Sequence, residues 1–182
     1  VTPQGSVPPA WFVASAVLLD VKVGGVGNVM SIQNAASVEM SGVEGTSPGS
    51  LAIVFGRITT RLRLEGVLWR GALQLVCPSG PSNLTLVDVN AGDLYLNGGA
   101  VSFATVARFS GSSASVTLTG VALQLTSVNL AGGALRVVSA VSFEASDVAA
   151  ATAFIEAQRV EVDGIALAGA TAAIRPLTVA AS

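Results

Sequence analysis

SVTLTGVALQLTSVNLAGGALRVV, residues Ser115–Val138, alternates apolar and polar side chains in short bursts. Val116 and Leu118 share a face; Val121, Leu123 and Leu125 repeat the spacing, and Val128 and Leu130 repeat it again. Period two is the mark of a half-buried strand. The register slips by one residue at Gly120 and again near Ser127. A slip inside one continuous strand would turn its apolar set toward solvent. Both points are therefore expected to be corners, bulges or tight turns between short strands, and the expected fold class is all-β.

Outward from this stretch, a short motif recurs: apolar, any, apolar, any, Gly, apolar. It reads Val21-Lys22-Val23-Gly24-Gly25-Val26, then Val38-Glu39-Met40-Ser41-Gly42-Val43, then Leu62-Arg63-Leu64-Glu65-Gly66-Val67. Further copies begin at Val116 and Val160, with a near copy at Leu94 and degenerate relatives at Leu84, Leu123 and Val141. Two inward side chains followed by a glycine suit a corner. Glycine tolerates positive φ or close backbone approach, and the next apolar residue re-enters the core.

Two architectures fit these signals. Separations near twenty residues (Leu62 to Leu84, Leu94 to Val116, Val141 to Val160) suit the coils of a right-handed parallel β-helix, which stacks like residues above one another. The phrases NLTLVDV (Asn83–Val89) and VTLTGVALQL (Val116–Leu125) resemble right-handed β-helix proteins, a likeness of fold style over roughly Leu62 to Ile174 that implies no particular family. The full motif copies are irregularly spaced, however. Strands every 8 to 12 residues, with turn signals at Asn97-Gly98-Gly99 and Ala131-Gly132-Gly133, suit equally an antiparallel β-sandwich or jelly roll with an extended N-terminal arm.

The 182 residues divide into an arm with a long strand, 1–23, and a single β-domain, 24–182. The arm opens with VTPQGSVPP, which holds three of the seven prolines and no charge; proline donates nothing to a ladder and biases its predecessor to extended geometry. Trp11 to Val23 reads as one long strand that a neighbouring copy could accept, with Trp11, Val13, Val17 and Leu19 as its plugs. Glu44–Ser50, Pro78–Ser82 and Ser110–Ser115 read as loops. Ala145–Gln158 has helical propensity, with Asp147 as cap and Val148, Ala151, Phe154 and Ile155 on one face.

Composition bounds the function. Hydrophobic residues make up 51% and charged residues 11%, against about a quarter for ordinary soluble domains. A β-unit with so few charges favours association. Net charge of −2 gives no footprint for nucleic acid. Ala10–Leu19 is too short to cross a bilayer, and two Trp and one Tyr cannot furnish the girdles of a membrane barrel. Val1 in place of Met fits a processed export product, so the expected location is extracellular or cell surface.

Candidate sites are sparse. Histidine is absent and Lys22 is the single lysine, and neither a nucleophile elbow nor a phosphate loop occurs, so no catalysis is expected. Cys77, the one cysteine, reads as a small buried apolar group. Asp88, Asn90 and Asp93 could supply oxygen ligands to calcium around a turn, or simply form that turn through Asx hydrogen bonds. Asn83 heads a glycosylation sequon. Arg57, Arg61, Arg63 and Arg70 form a positive region, while Glu144, Asp147, Glu156, Glu161 and Asp163 form a negative one. Both read as solvated faces of the domain; the alternative is complementary contact between neighbouring copies, which would set their register. The reading that follows is a secreted structural subunit that polymerises into a filament, sheath or surface layer. A carbohydrate-binding or adhesive β-domain is the alternative, for which Trp11, Trp69 and Tyr95 are the available aromatics.

Overall fold

The computed structural model describes residues 13–20, 22, 28–32, 35–45, 49–55, 58–77, 82–119, 121–130 and 133–176. Eleven strands follow in chain order: β1 (Val13–Leu19), β2 (Asn28–Ile32), β3 (Ala35–Ser41), β4 (Glu44–Gly45), β5 (Leu51–Phe55) and β6 (Ile58–Cys77) come first. They are followed by β7 (Asn83–Ala100), β8 (Phe103–Ser110), β9 (Ser113–Thr119), β10 (Ala122–Asn129) and β11 (Ala134–Pro176). Every strand pairing among the described residues is parallel. The fold is a parallel β-solenoid. The antiparallel sandwich or jelly roll is thereby corrected. Parallel neighbours need a crossover of a dozen or more residues, and here one full coil of chain provides it.

Each coil contributes three runs that stack on those of the next coil. In the first run one inward column reads Leu18, Met40, Leu64, Leu86, Val106, Leu125 and Ala145, each paired in register with the next. The second run stacks Val67, Val89, Phe109, Val128 and Val148. The third stacks Ile53, Leu75, Leu96, Val116 and Val137. All of these are buried except Leu18, which packs partly exposed against the rest. Among the described residues no polar or charged residue is buried, so the interior is wholly apolar. Strands that alternate sides place one set in this core and the other outside, which is why short apolar bursts of period two suffice to specify each run.

The corner between the first and second runs explains the sequence motif. Leu19, Ser41, Glu65, Val87, Ala107, Thr126 and Ser146 form one paired column, and the residue after each turns left-handed. These are Asp20, Gly42, Gly66, Asp88, Arg108, Ser127 and Asp147, with φ of 50°, 63°, 64°, 54°, 54°, 54° and 52°. No other described residue has positive φ. The slip at Ser127 is therefore a corner, as expected; Gly24 and Gly120 lie outside the described residues. The copies at Leu94 and Val116 lie in the third run, whereas those at Val38 and Leu62 lie in the first. One motif shared by two runs gives the irregular spacing that seemed to count against a solenoid.

Other expectations change for related reasons. Ala145–Gln158 is strand within β11, not helix. Ala153, Ile155 and Ala157 are buried with period two, and Asp147 is a corner residue where a helix cap was expected. Stacking on the preceding coil overrides the local preference of an alanine-rich segment. Ser110 ends β8 and Ser113 opens β9, so only Gly111 and Ser112 bend there. Glu44 and Gly45 pair with Leu68 and Trp69, which shortens that loop too. Asn97-Gly98 continues β7, with a register shift against β9 between Gly98 and Ala100. The long N-terminal strand breaks at Asp20, beyond which Lys22 bridges to Glu44. Pro78–Pro81, the first nine residues and the tail 177–182 lie outside the described residues. Among the described residues no helix is long and apolar enough to cross a membrane.

Trp69 shows how the coils interlock. It is fully buried in the second run between Gly45 and Ala91, its register partners on either side. A Cβ at Gly45 would collide with the indole ring. The ring nitrogen donates to the Gly49 carbonyl at 2.8 Å, so the one polar atom of this core side chain is satisfied.

Candidate functional site

The outward side chains of the first run carry four of the nine predicted contact residues: Val17, Leu19, Arg61 and Arg63. Val17 and Leu19 are exposed, 61% and 66%, beside Glu39 and Ser41 of the next coil. Leu18 between them turns inward. Trp11 and Arg57 lie outside the described residues, and of Val13 only the backbone is described, paired with Ala35. Arg61 is exposed between Ser37 and Asn83. Arg63 is committed within the chain: it lies 2.6 Å from Glu65 and 3.9 Å from Glu39. The hydrogen bond to Glu65 raises its pKa against the opposing effect of desolvation. At the other end Glu161 pairs with Arg159 at 3.2 Å, while Asp163 is exposed. Part of each charged region is thus neutralised locally.

The Asp88, Asn90 and Asp93 trio is spread along the coil. Asp88 is a left-handed corner residue that accepts from Arg108, the corner residue one coil on, in a two-pronged ion pair with one arm at 2.7 Å. That hydrogen bond holds the Asp88 carboxyl below its usual range. Asn90 is exposed in the second run, and Asp93 accepts from the Ser113 hydroxyl at 2.6 Å. Among the described residues no three His, Cys, Asp or Glu side chains converge as a metal site. Asn83 of the sequon is exposed at the start of β7. Cys77 is buried, and desolvation pushes its thiol up to about 12, far from the thiolate form that reacts.

A further surface cluster carries no sequence motif. On the outer surface of the third run Gln74, Tyr95 and Ser115 stand in one column across three coils, and Val76, Asn97 and Thr117 stand in the next. Together with buried Leu96 they line a shallow depression. Tyr95 is 38% exposed at its edge. The signal was present as the polar parity of QLV, YLN and SVT, but it becomes a cluster only once the coil length is known.

Fold and surface define a parallel β-solenoid with an apolar interior and a sparsely charged skin. No protein-family model, curated protein or solved structure matches this chain.

Proposed function

We propose that the chain is a secreted structural subunit that stacks end to end with copies of itself into an extracellular filament, sheath or surface layer. One observation carries the reading. Among the described residues β1 pairs only with β3 and β2 only with β5, which leaves the outer edge of the first described coil without a partner strand among them. Unpaired strand edges are templates for another chain. The two ends of a solenoid differ, so a contact between them is heterologous and extends without closing. Val17, Leu19 and Val29, all more than 60% exposed, place apolar surface on this same first coil. A charge content of 11% leaves little to keep such ends apart.

In this arrangement a neighbour's last coil continues the stack on β1 and β2; in the strand-exchange form, residues 13–19 are lent to that neighbour. Negative-stain imaging and fibre diffraction of purified protein test the reading. The expected result is rods many subunits long, with a repeat of about 4.7–4.9 Å along the axis. Deleting residues 1–19 should abolish or shorten them. A protein that stays strictly monomeric at high concentration, or whose truncated form polymerises unchanged, overturns the proposal or its N-terminal contact, respectively.

A further inference from the structure

We infer that the depression around Tyr95 is a binding site for a neutral glycan. Its lining contains no carboxylate, ammonium or guanidinium group: Gln74, Asn97, Ser115 and Thr117 supply amides and hydroxyls, Val76 and Leu96 the apolar floor, and Tyr95 an accessible ring. None of these polar side chains makes a hydrogen bond or ion pair with another described residue. Their donors and acceptors are therefore free for a ligand. Amides and hydroxyls both donate and accept, as sugar hydroxyls do. The negative face of an aromatic ring attracts the polarised C–H groups on the flat side of a pyranose. Charged ligands find no counter-charge in the lining. The nearest cation in the column, Arg136, is one coil further on and lies over the Phe154 ring, 5.5 Å from its centroid.

The shape narrows the class. The depression holds about 240 Å³, below the roughly 300–1,000 Å³ of enclosed small-molecule pockets. It fits one sugar unit of a longer chain better than a whole engulfed ligand. Stacked coils repeat about every 4.8 Å, close to the advance of one hexose in an extended polysaccharide. A glycan lying along the solenoid axis therefore meets Gln74, Tyr95 and Ser115 as a ladder of contacts on a rigid sheet.

The test uses the whole chain and four hexasaccharide probes: cellohexaose, chitohexaose, maltohexaose and a hexamer of uronic acids. Titration calorimetry of the parent should show saturable binding of at least one neutral probe. Tyr95→Ala should weaken it about tenfold, roughly 1.4 kcal/mol, and Asn97→Ala should weaken it several-fold. Tyr95→Phe, which keeps the ring, should retain binding. Circular dichroism melts check that each variant folds; Tyr95 is outward, so they should match the parent. Absence of neutral binding, binding of the uronic hexamer alone, or equal affinity in Tyr95→Ala overturns the inference. So does a Tyr95→Ala variant that alters polymerisation and leaves glycan affinity intact, since the face would then belong to a second copy.

Discussion

At one and the same corner the chain uses two kinds of residue. Gly42 and Gly66 turn the second and third coils, whereas Asp88, Arg108, Ser127 and Asp147 turn the four that follow, at φ within about ten degrees of the glycines. A left-handed backbone costs an L-residue roughly 1–2 kcal/mol and glycine almost nothing. The later coils therefore adopt the geometry against local preference. The stacking of paired strands on either side imposes the turn, and the residue sets only its cost. Asp88 and Arg108 offset part of that cost by bridging adjacent coils; Ser127 and Asp147 have no such side-chain bond between described residues.

The largest effect is expected at a glycine required for space, not for φ. Gly45→Ala should lower stability by about 1–3 kcal/mol or more, because the rigid Trp69 ring occupies the added carbon's position; a denaturant melt followed by tryptophan fluorescence would read both the loss and the displaced indole. Gly66→Ala should cost less, about 1–2 kcal/mol. Its new Cβ would have nothing nearer than the Gly42 nitrogen at 3.7 Å, so the cost is purely conformational. Gly42→Ala should exceed it, since Asp20 Oδ1 lies 2.7 Å from the added atom. The reverse exchange should stabilise: Asp147→Gly is expected to gain about 0.5–1 kcal/mol, the relieved strain less the entropy returned to the unfolded chain, visible as a higher melting temperature.

The smallest effect belongs to the Asp88–Arg108 pair, which is fully exposed to solvent screening. The Asp88 pKa is lowered on folding, so its contribution is present above the unfolded carboxylate value of about 3.9 and is lost as pH falls through the folded value. The difference in melting temperature between the parent and Asp88→Asn should be slight at pH 7 and should vanish in acid. A difference that grew on acidification would show that Asp88 does something other than hold Arg108.

The same corner shows what was legible in the sequence. Alternation in SVTLTGVALQL gave the strands, and Ser127 was marked as a slip because Val128 changes parity after Leu125. Gly42 and Gly66 announced their turns through the motif. Arg108 announced nothing, since an arginine carries no preference for positive φ and only its place one coil after Asp88 puts it there. Long-range stacking also decided parallel against antiparallel pairing, because both demand short strands with frequent turns. Alanine in β11 misled for a physical reason: its helical preference is small beside the gain from burying Ala153, Ile155 and Ala157 against the previous coil. The Tyr95 face was hidden most deeply, as its members come from three separate stretches that meet only in the coil.

Because no polar or charged residue is buried among the described residues, little in the interior distinguishes one coil from another. A buried amide or ion pair would tie each coil to a single correct neighbour; without one, any coil here can rest on any other whose columns match. Removing residues 88–107 would join Val87 to Arg108, and Val87 already stands beside Ala107 in the same column. The shortened chain meets the same neighbours in the same sense. Length in this molecule is a quantity that gene duplication and deletion can change in steps of about twenty residues, leaving the rest of the solenoid as it was.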